Sequence, residues 1–114
     1  MRLPVPLDVA VRAALGRKAE DVVVLDLRKA ADFADYFVLI SGGNQRQLVA
    51  IADAVLDALR AEGRRPGHLA GYPRQEWILL DYGGFVVHVF TPRTRAFYDL
   101  ERLWGGATRV EVAG

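Results

Sequence analysis

The chain has 114 residues, of which 52% are apolar and 25% charged, and its formal net charge is +1. This length predicts one domain over residues 1–114, with its core over about 7–104 and a C-terminal tail over 105–114. The composition and the N-terminal sequence together predict a cytoplasmic protein. The absence of cysteine excludes disulfides and thiolate metal sites, the absence of a long apolar run argues against a membrane span or signal peptide, and the near-zero charge argues against generic nucleic-acid binding.

The first part of the chain predicts one helix followed by two strands. Apolar residues at helical spacing predict a helix over Leu7–Leu15. Two apolar runs rich in β-branched and aromatic residues, 22–27 and 36–40, are typical of strands that are buried on both faces. Both strands are therefore expected in the interior of a sheet.

A glycine-rich turn, Ser41-Gly42-Gly43, leads from the second strand into a long amphipathic helix. Apolar residues recur at helical spacing from Leu48 to Leu59, and Asn44 and Gln47 predict an N-terminal capping box. Backbone N–H groups at such a turn can bind a phosphate, although the Gly-Lys-Ser/Thr ending of a P-loop is missing. A nucleotidyltransferase-like enzyme or phosphate-binding protein that uses this turn is therefore the alternative function.

The second half predicts a short edge strand within the loop 64–74, then a hairpin and a helix. The hairpin strands, 76–82 and 85–91, are joined by a Gly-Gly dipeptide that is typical of a two-residue turn. Thr91-Pro92 predicts an N-cap and first turn for a helix that reaches about Trp104. The order of elements predicts an α/β or α+β fold, with a mixed sheet of about five strands packed by helices.

One face of this hairpin is a candidate functional surface. A two-residue turn pairs Trp77 with Phe90 and places Asp81 diagonal to His88. The hairpin face, as we call it, consists of Trp77, Leu79, Asp81, Val86, His88 and Phe90. Its mixture of aromatic rings, a carboxylate and an imidazole is typical neither of a core nor of a solvent surface. A structural His–Asp hydrogen bond or a partner contact is the favoured interpretation, ahead of a catalytic triad with Ser41.

The carboxylates and histidines do not predict a metal site. Asp26 and Asp81 are single carboxylates, whereas metal-dependent nucleotidyl transfer requires a pair on neighbouring positions. The only histidines, His68 and His88, lack the spacing of metal ligands. We therefore expect no metal, no cofactor and no catalytic residue.

The last predicted helix has an apolar side and a polar rim. Phe97, Leu100 and Trp104 recur at i, i+3 and i+7, which predicts that all three are buried. Tyr98 is displaced by about 100° around the helix axis and is expected at the rim. Tyr98 and Glu101 are therefore predicted to border a partner surface that continues from the hairpin face.

The chain as a whole, over about Leu7 to Trp104, resembles the ribosomal silencing factor family, which is also called iojap-like. The matching positions are Asp35, Ser41-Gly42, Arg46-Gln47, Ala52-Asp53, Trp77, Asp81, Val87-His88-Val89, Arg95, Tyr98, Leu100-Glu101 and Leu103-Trp104. Two positions depart from the family pattern, because Ala70 and Gly84 stand where acidic residues are usual.

This resemblance implies a fold related to nucleotidyltransferases without their metal carboxylates. It also implies a protein that binds the large ribosomal subunit through its protein L fourteen, blocks joining of the small subunit, represses translation under starvation and takes part in large-subunit maturation. No sequence-specific nucleic-acid partner is implied, and a homodimer of the free protein is left open. The partner-binding residues expected on this basis are Trp77, Asp81, His88, Arg95, Tyr98 and Glu101.

Overall fold

A computed structural model describes residues 3–71 and 76–112 of the chain. The helices are α1 (Val5–Leu15), α2 (Gln45–Ala61), α3 (Pro92–Tyr98) and α4 (Leu100–Leu103). The strands are β1 (Glu20–Asp26), β2 (Tyr36–Ser41), β3 (His68–Ala70), β4 (Trp77–Asp81), β5 (Phe85–Phe90) and β6 (Thr108–Glu111). The predicted mixed sheet packed by helices is confirmed, while residues 72–74 of the predicted loop lie outside the described residues.

The sheet has six strands in the order β3-β4-β5-β2-β1-β6. Strands β2 and β5 are parallel, and the other neighbouring pairs are antiparallel. Strand β6 lies in the segment 105–114 that the sequence assigned to a tail, so that assignment is wrong for these residues. Its pairing with β1, from Thr108 opposite Asp26 to Glu111 opposite Val23, covers an edge of β1 that would otherwise be open.

The two faces of the sheet are covered unequally. Helices α1 and α2 pack on one face, where Leu7, Val11, Ile51 and Val55 belong to the larger core cluster. The other face carries a smaller core cluster under α4 and the β1–β2 loop. No helix within 3–71 and 76–112 is long and apolar enough to cross a membrane. The thinner cover on the second face leaves several of its aromatic rings near solvent.

The start of α2 follows the predicted cap with one change of partner. Asn44 Oδ1 accepts a hydrogen bond from the Gln47 N–H (2.9 Å), as an N-cap should. Gln47 Oε1 accepts from the Gly43 N–H (2.6 Å), one residue before the cap position that a standard capping box would use. A Cβ on Gly42 would lie 2.7 Å from a methyl of Leu48, so this turn needs glycine for close packing against α2.

The single C-terminal helix that the sequence predicts is in fact two short helices. Asp99 has left-handed backbone angles (φ 47°, ψ 57°) and separates α3 from α4. Because this break turns the chain, residues on its two sides no longer share one helical face. Leu100 is buried as predicted, but Phe97 is 79% exposed and its predicted burial is wrong. Trp104 is half-buried just beyond α4.

Candidate functional site

The hairpin has the register that the two-residue turn predicts. Trp77 lies opposite Phe90, and Asp81 lies opposite Val86. The hairpin face packs in the smaller core cluster, whose buried members include Phe37, Val86 and Phe90. The predicted separation of the two faces is therefore confirmed. The β5 half of the hairpin face is buried, whereas its β4 half is half-buried.

His88 is buried in this face, with only 3% of its surface exposed. Its Nδ1 accepts a hydrogen bond from the Trp77 indole N–H (3.1 Å). The predicted bond to Asp81 is wrong, because Asp81 Oδ1 instead accepts from the Gly83 N–H (2.8 Å) and closes the hairpin turn. A covered imidazole that serves as acceptor for an indole cannot present its side chain to a partner in this conformation.

The protonation state of His88 follows from its surroundings. Burial lowers the pKa of His88 to about 4, and the charge of Asp81 opposes this shift without offsetting it. The ring is therefore neutral near pH 7, and because Nδ1 accepts, its proton is on Nε2. Nε2 is buried and has no hydrogen-bond partner. A buried donor without a partner lowers the stability of a fold by about 1–3 kcal/mol. The fold therefore accommodates His88 at a cost, because only one of its two ring nitrogens has a hydrogen-bond partner.

Arg95 was expected to contact a partner, but it is buried inside the domain. One of its terminal nitrogens, Nη1, donates to Ser41 Oγ (2.8 Å) and to the backbone oxygen of Asp21 (2.6 Å). Its Nε donates to Glu101 Oε1 (2.9 Å). These contacts join α3 to β1, β2 and α4, so the guanidinium holds elements together rather than facing solvent.

Glu101 is the centre of an ion-pair network. Its second carboxylate oxygen accepts from Arg109 (2.7 Å) on β6, while the first is held by Arg95. The hydrogen bond from Arg95 is the main cause of a lowered pKa for Glu101, with the nearby charge of Arg109 adding to it. Two arginines therefore already neutralise this carboxylate, so Glu101, which was predicted to border a partner surface, is engaged within the domain instead.

Two of the predicted residues remain at the surface as aromatic side chains. Tyr98 is 52% exposed, and its ring packs against that of Trp77 with centroids 4.7 Å apart. Trp77 is half-buried, with one edge bonded to His88. The structure thus brings Trp77, Tyr98 and the half-buried Asp81 to one side of the sheet, above the buried His88.

Sequence reasoning missed Phe33, in the loop between β1 and β2. Phe33 is 61% exposed and packs against Trp104 (centroids 5.5 Å) and Phe37 (5.9 Å). The only available signal was one aromatic residue within a polar loop, and such a residue has no periodicity to indicate its neighbours.

The glycine-rich turn uses its own hydrogen-bond donors. The Gly42 N–H donates to the Phe90 backbone oxygen (3.0 Å), and the N–H groups of Gly43 and Gln47 are taken by the α2 cap. No group of three or more metal-binding side chains occurs in the described part of the chain. Asp26 and Asp81 lie on β1 and β4, which are separated by two strands and thus by about 14 Å at the usual strand spacing.

Comparison with known proteins agrees with the resemblance in the sequence. The family model described as ribosomal silencing factor during starvation matches residues 3–114. A ribosomal silencing factor of Halalkalibacterium halodurans is 40% identical over 108 residues, covering 95% of this chain and 92% of that protein. A mouse protein named mitochondrial assembly of ribosomal large subunit protein 1 is 29% identical over 101 residues, which are 44% of its length.

Solved structures show the same fold. A crystal structure of a protein from Chromobacterium violaceum has a TM-score of 0.87 and 32% identity, covering 100% of this chain and 95% of that one. A second, from Bacillus halodurans, has a TM-score of 0.81 and 37% identity. With a family model over nearly the whole length and a 40% identical relative of matching length, this chain belongs to the ribosomal silencing factor family.

Proposed function

We propose that this protein binds the large ribosomal subunit through its protein L fourteen and prevents the small subunit from joining. The rate of translation in the cytoplasm would then decrease during starvation, which is the condition that the family description names. A part in large-subunit maturation is included in the proposal, since the mouse relative carries assembly of the large subunit in its name. The protein acts in this proposal as a binding partner and not as an enzyme.

The observation that carries the proposal, beside family membership, is the aromatic pair of the half-buried Trp77 and the exposed Tyr98. Aromatic side chains that are packed on one side and open on the other are typical anchors of protein interfaces. The two rings are in contact, and Trp77 is held in place by its bond to His88. A preorganised pair of this kind loses little side-chain entropy when a partner covers it.

The enzymatic alternative has less support. Gly42, Gly43 and Gln47 direct their backbone N–H groups to acceptors within the domain, so these donors are not available to a phosphate. Asp26 is engaged by Arg28 and Asp81 by the hairpin turn. Nucleotide turnover by the purified protein in the presence of Mg²⁺ would favour this alternative over the proposed one.

We expect the purified protein to sediment with isolated large subunits and not with small ones. Added at saturation to a mixture of both, it should reduce the peak of joined ribosomes in a sucrose gradient, because an occupied joining face excludes the other subunit. A gradient in which the joined peak stays the same at saturating protein would contradict the proposed function.

We expect Tyr98→Ala to weaken binding to large subunits by about tenfold or more, as truncation of an aromatic anchor commonly costs about 2 kcal/mol. The melting temperature should change little, because half of the ring is already in solvent. Leu69→Ala is the matched control: Leu69 is exposed, and its pairing with Leu80 places it toward the opposite face of the sheet.

Trp77→Ala is a less selective test, since it also removes the donor to His88 Nδ1 and should lower stability. Equal subunit affinity for Tyr98→Ala and Leu69→Ala would show that the pair is not an anchor. If Tyr98→Ala and Leu69→Ala both bind large subunits as the unchanged protein does, and the unchanged protein blocks subunit joining, then the interface lies elsewhere and the proposed function stands.

A further inference from the structure

A continuous series of ring contacts crosses the sheet face from Tyr98 to Phe33. Successive rings have centroids between 4.5 and 6.1 Å apart. In order, the rings are Tyr98, Trp77, His88, Phe37, Trp104 and Phe33. The two ends of the series are exposed and its middle is buried, so the same layer of aromatic side chains reaches the surface at two places.

The second of these places is built like the first. Phe33 is 61% exposed and its ring packs against the half-buried Trp104, just as the ring of Tyr98 packs against the half-buried Trp77. Leu103, the last residue of α4 and the neighbour of Trp104 in the chain, is 69% exposed. Single exposed apolar residues are ordinary, but several on one face of a small protein mark an interaction surface.

The size of a stable interface decides whether the two places act together. A standard protein interface buries about 800 Å² on each partner, which corresponds to a disc about 30 Å wide. The whole molecule measures 34 × 33 × 26 Å. The successive ring distances place Tyr98 and Phe33 no more than about 27 Å apart. A partner surface of standard width that is centred between them can therefore cover both.

We propose that Phe33, supported by Trp104, is a second anchor for the ribosomal protein that binds Trp77 and Tyr98. This inference rests on the proposed function and names a further part of its contact surface. The occupant is a protein surface with an apolar side chain to place against Phe33. Asp32 and Asp35 are exposed on either side of Phe33 and would repel the phosphates of an RNA strand stacking there.

The test is affinity for isolated large subunits, measured for Phe33→Ala beside Val5→Ala. Val5 is similarly exposed but lies at the start of α1, which packs on the opposite face of the sheet. Phe33→Ala should bind about tenfold more weakly or worse, as expected for an aromatic anchor, and Val5→Ala should bind as the unchanged protein does. Leu103→Ala, which removes no ring contact, should weaken binding with an unchanged melting temperature.

The double variant Phe33→Ala, Tyr98→Ala shows whether both places are engaged in the same complex with the large subunit. Tyr98 and Phe33 do not touch, so the fold-changes in affinity of the two single variants should multiply in the double variant if both rings are covered in the bound state. Affinity of Phe33→Ala equal to that of Val5→Ala would overturn the second anchor. If Tyr98→Ala still weakens binding in that case, the proposed function stands without the second anchor.

Two further outcomes would also overturn the assignment of Phe33 as a second anchor for the ribosomal protein. A Phe33→Ala protein that loses affinity for protein-free ribosomal RNA in parallel would assign the ring to RNA stacking. A protein that changes from dimer to monomer on Phe33→Ala, with unchanged subunit binding, would assign the ring to a second copy of the chain. Absence of subunit binding by the unchanged protein would instead remove the proposed function itself.

Discussion

Replacing Arg95 by methionine is expected to lower the free energy of unfolding by about 3 kcal/mol, the lower end of the range for breaking a buried ion pair. Methionine keeps much of the apolar stem but leaves Ser41 Oγ and the Asp21 carbonyl without their donor. Glu101 keeps Arg109, which limits the loss. Chemical denaturation with urea measures the change directly.

Arg93→Met is the matched control for this prediction. Arg93 lies in the same helix, two residues earlier, and its side chain is exposed. Surface substitutions of this kind usually change stability by less than about 0.5 kcal/mol. Equal denaturation midpoints for Arg95→Met and Arg93→Met would mean that the buried network does not stabilise the fold.

The second large effect that we expect is a loss of stability in mild acid caused by His88. Its pKa is about 4 in the folded protein and 6.5 in the unfolded chain, so the unfolded chain binds the proton more tightly between these values. Stability from this group is therefore complete above pH 6.5 and falls as the pH decreases toward 4. The full loss is about 3 kcal/mol, at 1.36 kcal/mol per pKa unit.

His88→Asn tests this without removing the acceptor for Trp77, because an asparagine oxygen can take the place of Nδ1 and does not titrate. Urea denaturation at several pH values between 4 and 7 should show a shallower pH dependence for His88→Asn than for the unchanged protein. His68→Asn, at an exposed position on β3, should keep the original dependence. Identical slopes for all three proteins would contradict a buried neutral His88.

These expectations divide the family-like residues into two roles. His88 and Arg95 are enclosed and connect elements of the fold, while Trp77 and Tyr98 form a surface that a partner can cover. Glu101 belongs with the first group through its two arginines. We therefore expect a substitution in the first group to act on binding only through the fold, and a substitution at Tyr98 to act on binding directly.

Much of the fold follows from local patterns in the sequence. The hairpin register, the Asn44 cap of α2 and the Thr91-Pro92 start of α3 were all predicted and are confirmed. Each depends on residues that are adjacent or a few positions apart, where backbone geometry allows few solutions. Strand alternation also placed Trp77 on the hairpin face, and helix rotation placed Tyr98 at the rim, but their ring contact appears only in the tertiary structure.

The contacts of the site depend on residues that are far apart in the chain, and only the tertiary structure decided them. Arg95 bonds Ser41 and Asp21, 54 and 74 positions away, and no spacing in the sequence indicates such a pair. The left-handed backbone at Asp99 redirects the chain after it, so that Leu100 is buried while Phe97, before the break, no longer shares its face and is exposed. Local sequence determines elements and faces, whereas burial and hydrogen-bond partners depend on how those elements are packed together.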